Sequence, residues 1–254
     1  MQIAVLSPHR DDAAFSCGLA IRALLATKSE VSIINLCTVS IYAPYLPTDN
    51  GERIQQVMTA REKEDLLFAE KVTVDAKANP KCLSFIDLGW KDGPLRWSVP
   101  DEQMLELIPI RSEEVDALAQ SLRRFSGSDL VFAPLAFGGH LDHRLMNEAA
   151  SITIPQDSLL FYEDLPYACS SFTVRKCQSS LNHADAGDAW MSTALNFPGA
   201  KMKYAACYAS QIAMELAKGM EAHAEQLGGS ERFFGTPSAI RKLQTAIRVQ
   251  GSSA

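Results

Sequence analysis

Two apolar runs bracket a helical stretch within the first forty residues, and this arrangement restricts the fold more than any other feature. "QIAVLS" (2–7) has no polar alternation, the pattern of a strand buried on both faces. "AAFSCGLAIRALLATK" follows, with Phe15, Leu19, Ile21, Leu24 and Leu25 at helical spacing. "VSIINLCTV" (31–39) is a second apolar, β-branched run. The connections are only a few residues long, so the opening is a βαβ unit with parallel strands and a right-handed crossover.

The same alternation continues. A loop rich in Pro, Gly, Asn and Asp, "IYAPYLPTDNGE", precedes a long helix near 53–72. "CLSFIDL" reads as a third strand, "GWKDGPLRWSVPDE" as a long loop, and "SEEVDALAQSLRRF" as a helix with a capping signature at Ser112, Glu113 and Glu114. "DLVFAPLA" and "SLLFYEDL" read as a fourth and a fifth strand, with a helix near "LDHRLMNEAAS" between them. "QSSLNHADAGDAWMSTALNFPGA" has weak periodicity and reads as loops or short helices, and 201–227 as one strong helix broken near Gly219. The pattern predicts one α/β domain over 1–250 with a mostly parallel sheet, and a disordered tail at 251–254.

Composition narrows the function. The 254 residues carry a formal net charge of -6, without a basic footprint for nucleic acid. No apolar run approaches the roughly 20 residues that span a bilayer. The start has no secretory-signal pattern. Six cysteines (17, 37, 82, 169, 177, 207) form no CxxC pair and read as buried free thiols, which places the protein in the cytoplasm.

Three of the five histidines lie in two short segments. His9 follows the first strand in "PHRDD", with Asp11 and Asp12. His140 and His143 follow the fourth strand in "GGHLDHR", with Asp142. Open α/β sheets gather their sites at the carboxyl ends of strands. If these two strands are neighbours, imidazoles and carboxylates meet in a set that suits Zn²⁺ or a similar divalent ion. The structural alternative for Asp12 is a helix cap. A dinucleotide site is excluded, because the first turn lacks G-x-G-x-x-G and offers two carboxylates that repel a pyrophosphate.

Together, "SPHRDDAAFSCG" and "GGHLDHR" resemble the motifs of the LmbE-like, or PIG-L, deacetylases, whose first motif usually reads P-H-P-D-D-E and whose second reads H-x-D-H. "REKE" resembles the family's R-x-x-E, and "FIDLGWKDGPL" its strand and loop ending in Asp-Gly. "LLFYEDLPYA" resembles its late strand, and "KYAACYASQ" and "ERF" its C-terminal markers, so the likeness covers most of the chain.

The resemblance implies a Rossmann-like three-layer α/β sandwich and a zinc-dependent hydrolase, with another divalent ion as an alternative. His9, Asp12 and His143 match the metal ligands and Asp11 the general base. His140 matches the residue that stabilises the oxyanion, and Asp142 the one that orients and polarises His140. The implied reaction is attack of a metal-activated water on the N-acetyl amide of an amino sugar or GlcNAc-containing conjugate. The implied partner is therefore a small molecule, and a homo-oligomer is compatible with the family's habit of assembling. The alternatives are hydrolysis of another amide, hydration of an unsaturated acid on the same fold, or metal and sugar binding without turnover.

Arg61 and Asp92 are candidates for binding substrate hydroxyls or a phosphate. Their structural alternatives are an ion pair of Arg61 with Glu64 or Asp65 on its own helix, and an Asp-Gly turn at Asp92. His183 and His223 read as surface residues. Trp90 and Trp97 suit either sugar stacking or core packing. Arg10 and Ala13 depart from the family's proline and glutamate, which puts the support of the metal ligands in question.

Overall fold

The computed structural model describes residues 1–47, 52–105, 108–169, 190–194 and 200–248. The strands are β1 (Gln2–Ser7), β2 (Glu30–Val39), β3 (Leu83–Lys91), β4 (Leu130–Pro134), β5 (Leu159–Tyr162), β6 (Trp190–Ala194) and β7 (Ser230–Gly235). The helices are α1 (Asp12–Ala26), α2 (Arg53–Ala76), the short α3 (Gly93–Trp97), α4 (Ser112–Leu122), α5 (Leu141–Thr153), α6 (Ala200–Ala205), α7 (Met214–Gln226) and α8 (Pro237–Arg248).

All the strands join one sheet in the order β3-β2-β1-β4-β5-β7-β6. The five from β3 to β5 run parallel, and β7 pairs antiparallel with both β5 and β6. β1 explains why its sequence shows no polar alternation. Ile3 and Val5 enter a core built with α1, α2, α6 and α8, whereas Ala4 and Leu6 enter a second core built with α4 and α5. Burying each such branched side chain is worth about 1.5–3 kcal/mol, so both faces demand apolar residues. The result is a three-layer α/β sandwich with a mostly parallel sheet.

β1 pairs directly with β4, matching Ile3, Ala4 and Val5 to Leu130, Val131 and Phe132. Chain order runs outward in opposite directions from this pair, which is the topological switch point where open α/β sheets form their crevice. The "PHRDD" and "GGHLDHR" segments therefore leave adjacent strands at the same sheet edge.

The structure departs from the sequence-based reading in four places. The stretch 201–227 breaks at 206–213, not at Gly219, which lies inside α7 with open space where a Cβ would stand. The break is held by Tyr208 Oη donating to Asp65 and by Ser210 N and Oγ donating to Glu64, contacts a continuous helix would forfeit. Ser112 is the first helical residue and caps nothing; the cap position is Arg111. Part of the expected loop after Leu88 is the end of β3 followed by α3. Trp190–Ala194, inside the stretch read as loops or short helices, is instead the strand β6, while β7, in the short "ERF" segment, and α8 carry no sequence expectation. The tail 251–254 and Cys177 lie outside the described residues; Cys17, Cys37 and Cys207 are buried free thiols, Cys82 is half-buried and Cys169 is exposed.

Candidate metal centre

The turn after β1 is closed by its own functional groups. Asp12 Oδ2 accepts the His9 backbone N–H at 2.8 Å, while Ser7 Oγ donates to His9 O and accepts from Ala13 N. Asp12 opens α1, and Asp11, at the cap position, makes no side-chain cap. Across the crevice His140 is the cap of α5, its Nδ1 accepting the Asp142 N–H at 3.2 Å. That cap sets His143 on the first turn. The loop before it passes through Gly138 at φ 87°, and a Cβ there would meet the Tyr167 ring at 2.8 Å. Tyr167 in turn packs edge-on to His143.

The three site histidines converge, with ring centroids 4.9, 5.2 and 5.3 Å apart. Asp12 Oδ2 lies 3.3 Å from His9 Nδ1 and 3.3 Å from His143 Nε2. Donor atoms on a tetrahedral zinc, with bonds near 2.0–2.2 Å, are about 3.3–3.5 Å apart, so this spacing suits an ion of that size. His143 Nε2 is buried and has no hydrogen bond, an orphaned lone-pair donor aimed at Asp12. The two-nitrogen, one-oxygen set therefore fits a divalent cation.

Electrostatics point the same way. Burial disfavours the charge of Asp12, but His143 and His9 outweigh it and hold the carboxyl well below its usual range. Burial would also lower His9, yet its bonds to Asp12 and Asp142 raise it to about 9. His143 is raised against burial by Asp12 and Asp164. Buried ionised carboxylates between imidazoles demand positive charge, supplied by protons or by a metal ion.

Sequence reasoning misses Asp164. It follows β5, is fully buried, and stands 2.5 Å from His143 Nδ1 while accepting the Phe137 N–H. A carboxylate on the second ring nitrogen of a ligand histidine fixes its tautomer and raises its basicity. The signal was present as an acidic residue at the end of a parallel strand in "FYEDLP". Arg96 is also missed: it donates to Asp142 Oδ1 at 2.7 Å and to Glu114 at 2.9 Å.

Asp142 corrects one expectation. Its carboxylate does not orient His140. It meets His9 Nε2 at 3.1 Å, the Gly93 N–H at 2.9 Å and Arg96, and only its backbone N–H touches His140. Burial and the charge of His9 hold His140 down to about 3, against the opposing pull of Asp142, and with Nδ1 accepting the Asp142 N–H a neutral ring carries its proton on Nε2.

Arg61 pairs with neither neighbour on its own helix. It is buried and donates to Asp11 Oδ1 at 2.7 Å. Asp92 takes its structural alternative, capping α3 at Leu95 N and accepting from Ser40 Oγ. Both candidates thus bond within the frame of the site. Trp97 donates to Glu114 under the Arg111 guanidinium, and Trp90 packs on the α4–α5 core. His223 is half-buried against Glu163 rather than on the surface; His183 lies outside the described residues.

Arg10, in the family's proline position, is a buried clamp. Its two Nη atoms bind Asp65 of α2 and Asp87 of β3 at 2.5 Å each, and Asn35 and Tyr208 complete the network. Ala13, in the glutamate position, packs in the apolar core.

The family model described as PIG-L, GlcNAc-PI de-N-acetylase, matches residues 4–154, and the chain belongs to that family. The 2'-N-acetylparomamine deacetylase of Streptomyces fradiae is 34% identical over 170 residues, 65% of this chain but only 57% of that protein's length. A deacetylase of teicoplanin biosynthesis shares the fold at 18% identity and TM-score 0.65, over 92% of this chain and 97% of its own. The 4-carboxy-2-hydroxymuconate hydratase of Pseudomonas putida also shares it, at 16% identity and TM-score 0.58, over 100% and 90% of the two chains.

Proposed function

We propose that the chain is a metal-dependent N-deacetylase acting on an N-acetylated amino sugar within a small natural-product pseudosaccharide or glycoside. The observation that carries this reading is the convergence of the His9, Asp12 and His143 donor atoms beside the His140 ring at the switch point, with Asp11, the residue before Asp12, bonded to Arg61. The 2'-N-acetylparomamine deacetylase similarity supports the substrate class. His9, Asp12 and His143 would hold the ion, with zinc favoured by two imidazoles and one carboxylate. A divalent cation there supplies Lewis acidity, lowering the pKa of a coordinated water and polarising the amide carbonyl.

The chain's own residues do the rest. Asp11 accepts a proton from the attacking water, oriented by its Arg61 bond. The Nε2–H of neutral His140 donates to the developing oxyanion. Asp11, now protonated, passes that proton to the leaving amine, since His140 keeps its one proton for the hydrogen bond. Asp164 and Asp142 fix the rings of His143 and His9. None of the described helices is long and apolar enough to cross a membrane, and the free thiols suit a reducing, cytoplasmic setting. We take 1–250 as one catalytic domain.

The test is acetate release from a panel of N-acetylated amino sugars and pseudosaccharides by zinc-loaded protein, before and after chelation. Release that chelation abolishes and zinc restores is expected. Absence of acetate from every substrate with the ion bound overturns the reading, and turnover of an unsaturated acid would favour the hydratase alternative.

A further inference from the structure

Two arginine–carboxylate pairs cross between the turn after β1 and the helix α2. Arg10 reaches from the turn to Asp65 of α2 at 2.5 Å, and Arg61 reaches back from α2 to Asp11 of the turn at 2.7 Å. Arg61 and Asp65 stand one helical turn apart on the buried face of α2. An arginine and an aspartate at i and i+4 suit each other as partners, and the Arg61 charge acts on Asp65. Their pairing is nevertheless not the one formed. We propose that Arg10 is a positioning residue for Asp11: by occupying Asp65 it withholds that carboxylate from Arg61 and so keeps Arg61 on Asp11.

The competition follows from how each group is engaged. Arg61 bonds Asp11 through Nη2, while its Nε is buried with no hydrogen-bond partner. A guanidinium with an unpartnered Nε gains by turning to a second buried carboxylate. Asp65 is already taken: Oδ2 accepts from Arg10 and Asn35, and Oδ1 from Tyr208. Without Arg10 only the two neutral donors remain, and a buried carboxylate with no cation is strongly disfavoured. Arg61, one turn away, is placed to replace the missing charge. Asp11 would not hold it back as firmly, because its side chain is 14% exposed and water compensates the loss, whereas that of Asp65 is 4% exposed. The second arm of Arg10, to Asp87 of β3, braces the guanidinium against Asp65. Arg10 stands where the family's first motif has proline, which has no side chain able to reach α2. That Asp11 moves the proton rests on the deacetylase reading; the exchange of partners does not.

The experiment compares full-length, zinc-loaded wild type with Arg10→Gln, Asp65→Asn and the double variant Arg10→Gln/Asp65→Asn. Acetate release from the N-acetylated amino-sugar panel, zinc content and crystal structures are measured on each. Glutamine keeps a stem and an amide donor toward Asp65, so it removes the charge with little loss of packing. In Arg10→Gln, kcat should fall about 10-fold with KM and zinc content unchanged, and the Arg61 guanidinium should lie on Asp65. The double variant, whose residue 65 no longer attracts a cation, should recover kcat to within about 3-fold of wild type, with Arg61 back on Asp11. Asp65→Asn alone should stay within the same range. An unchanged kcat in Arg10→Gln, or a double variant as impaired as the single one, overturns the proposal. If Arg10→Gln does not fold, the double variant, which strands no charge, decides: recovery supports the proposal, and a kcat about 10-fold or more below wild type overturns it. If Arg61 exchanges partners as described but no protein, wild type included, releases acetate, the exchange stands and the deacetylase reading fails.

Discussion

Replacing Asp164 with asparagine tests whether a residue that touches no ligand atom of the metal set still governs metal affinity. The carboxylate is fully buried, with one oxygen 2.5 Å from His143 Nδ1 and the other accepting Phe137 N–H at 2.9 Å. Asparagine has nearly the same volume and keeps an acceptor for Phe137. Its amide N–H₂, however, turns a donor toward His143 Nδ1. The ring must then accept there and carry its proton on Nε2, the atom facing Asp12 at 3.3 Å. A proton on the ligand nitrogen competes directly with the ion. Loss of such an outer carboxylate costs about 10–100-fold in metal affinity, roughly 1.4–2.8 kcal/mol. The fold should survive, since burial pushes the Asp164 carboxyl up and a neutral isostere removes that penalty. Competition titration against a chromophoric zinc chelator at fixed pH measures the affinity, with thermal unfolding as the control. Affinity within a factor of two of wild type, in a folded variant, would refute the assignment of Asp164 as the group that fixes His143.

Arg61→Met should lower kcat about 10-fold or more, about 1.4 kcal/mol of barrier, with KM nearly unchanged, because Arg61 contacts Asp11; a rise in KM at constant kcat would mean that it binds substrate instead. Arg10→Ala should cost about 3–5 kcal/mol in urea unfolding, because it strands the buried Asp65 and its network; a loss under 1 kcal/mol would refute the clamp. Burial raises Asp65 to about 6, against the pull of Arg10 and Tyr208. Since the folded value lies above the unfolded one of 3.8, the neutral form's contribution is complete below 3.8 and is lost as pH rises through 6. The stability of Asp65→Asn relative to wild type should therefore improve by about 2.4 kcal/mol between pH 4 and 7.5, and a flat difference would contradict the shift.

What was legible in the sequence follows from how local each signal is. β1, β2, β4 and β5 read correctly because strands buried on both faces must be continuously apolar, and "QIAVLS" and "LVFAP" leave no polar face. The His9–Asp12 and His140–His143 segments could be paired in advance, since parallel strands put their carboxyl ends on one edge. β7 escaped notice because "SERFFG" buries Glu231 against Lys201 and the Leu19 and Ala20 N–H groups, so its charge reads as a loop. Second-layer partners escaped for another reason. Arg61 to Asp11, Arg96 to Asp142 and Arg10 to Asp87 span 46 to 77 residues, and no periodicity encodes such pairings. The unusual Arg10 is intelligible only once α2 and β3 place Asp65 and Asp87 on either side of it. Asp142 misled because adjacency in "HLDH" suggests a carboxylate on His140, whereas helix geometry sends the side chain to His9 and Arg96.

The central claim is that a metal set and a separate proton-transferring carboxylate share this crevice. Its most direct test is Asp11→Asn, with metal content and acetate release measured on the same preparation. The account predicts one tightly bound zinc per chain in both proteins, and acetate release in the variant reduced by about 100-fold or more. Zinc lost along with Asp11, or undiminished release from the zinc-loaded variant, would contradict it.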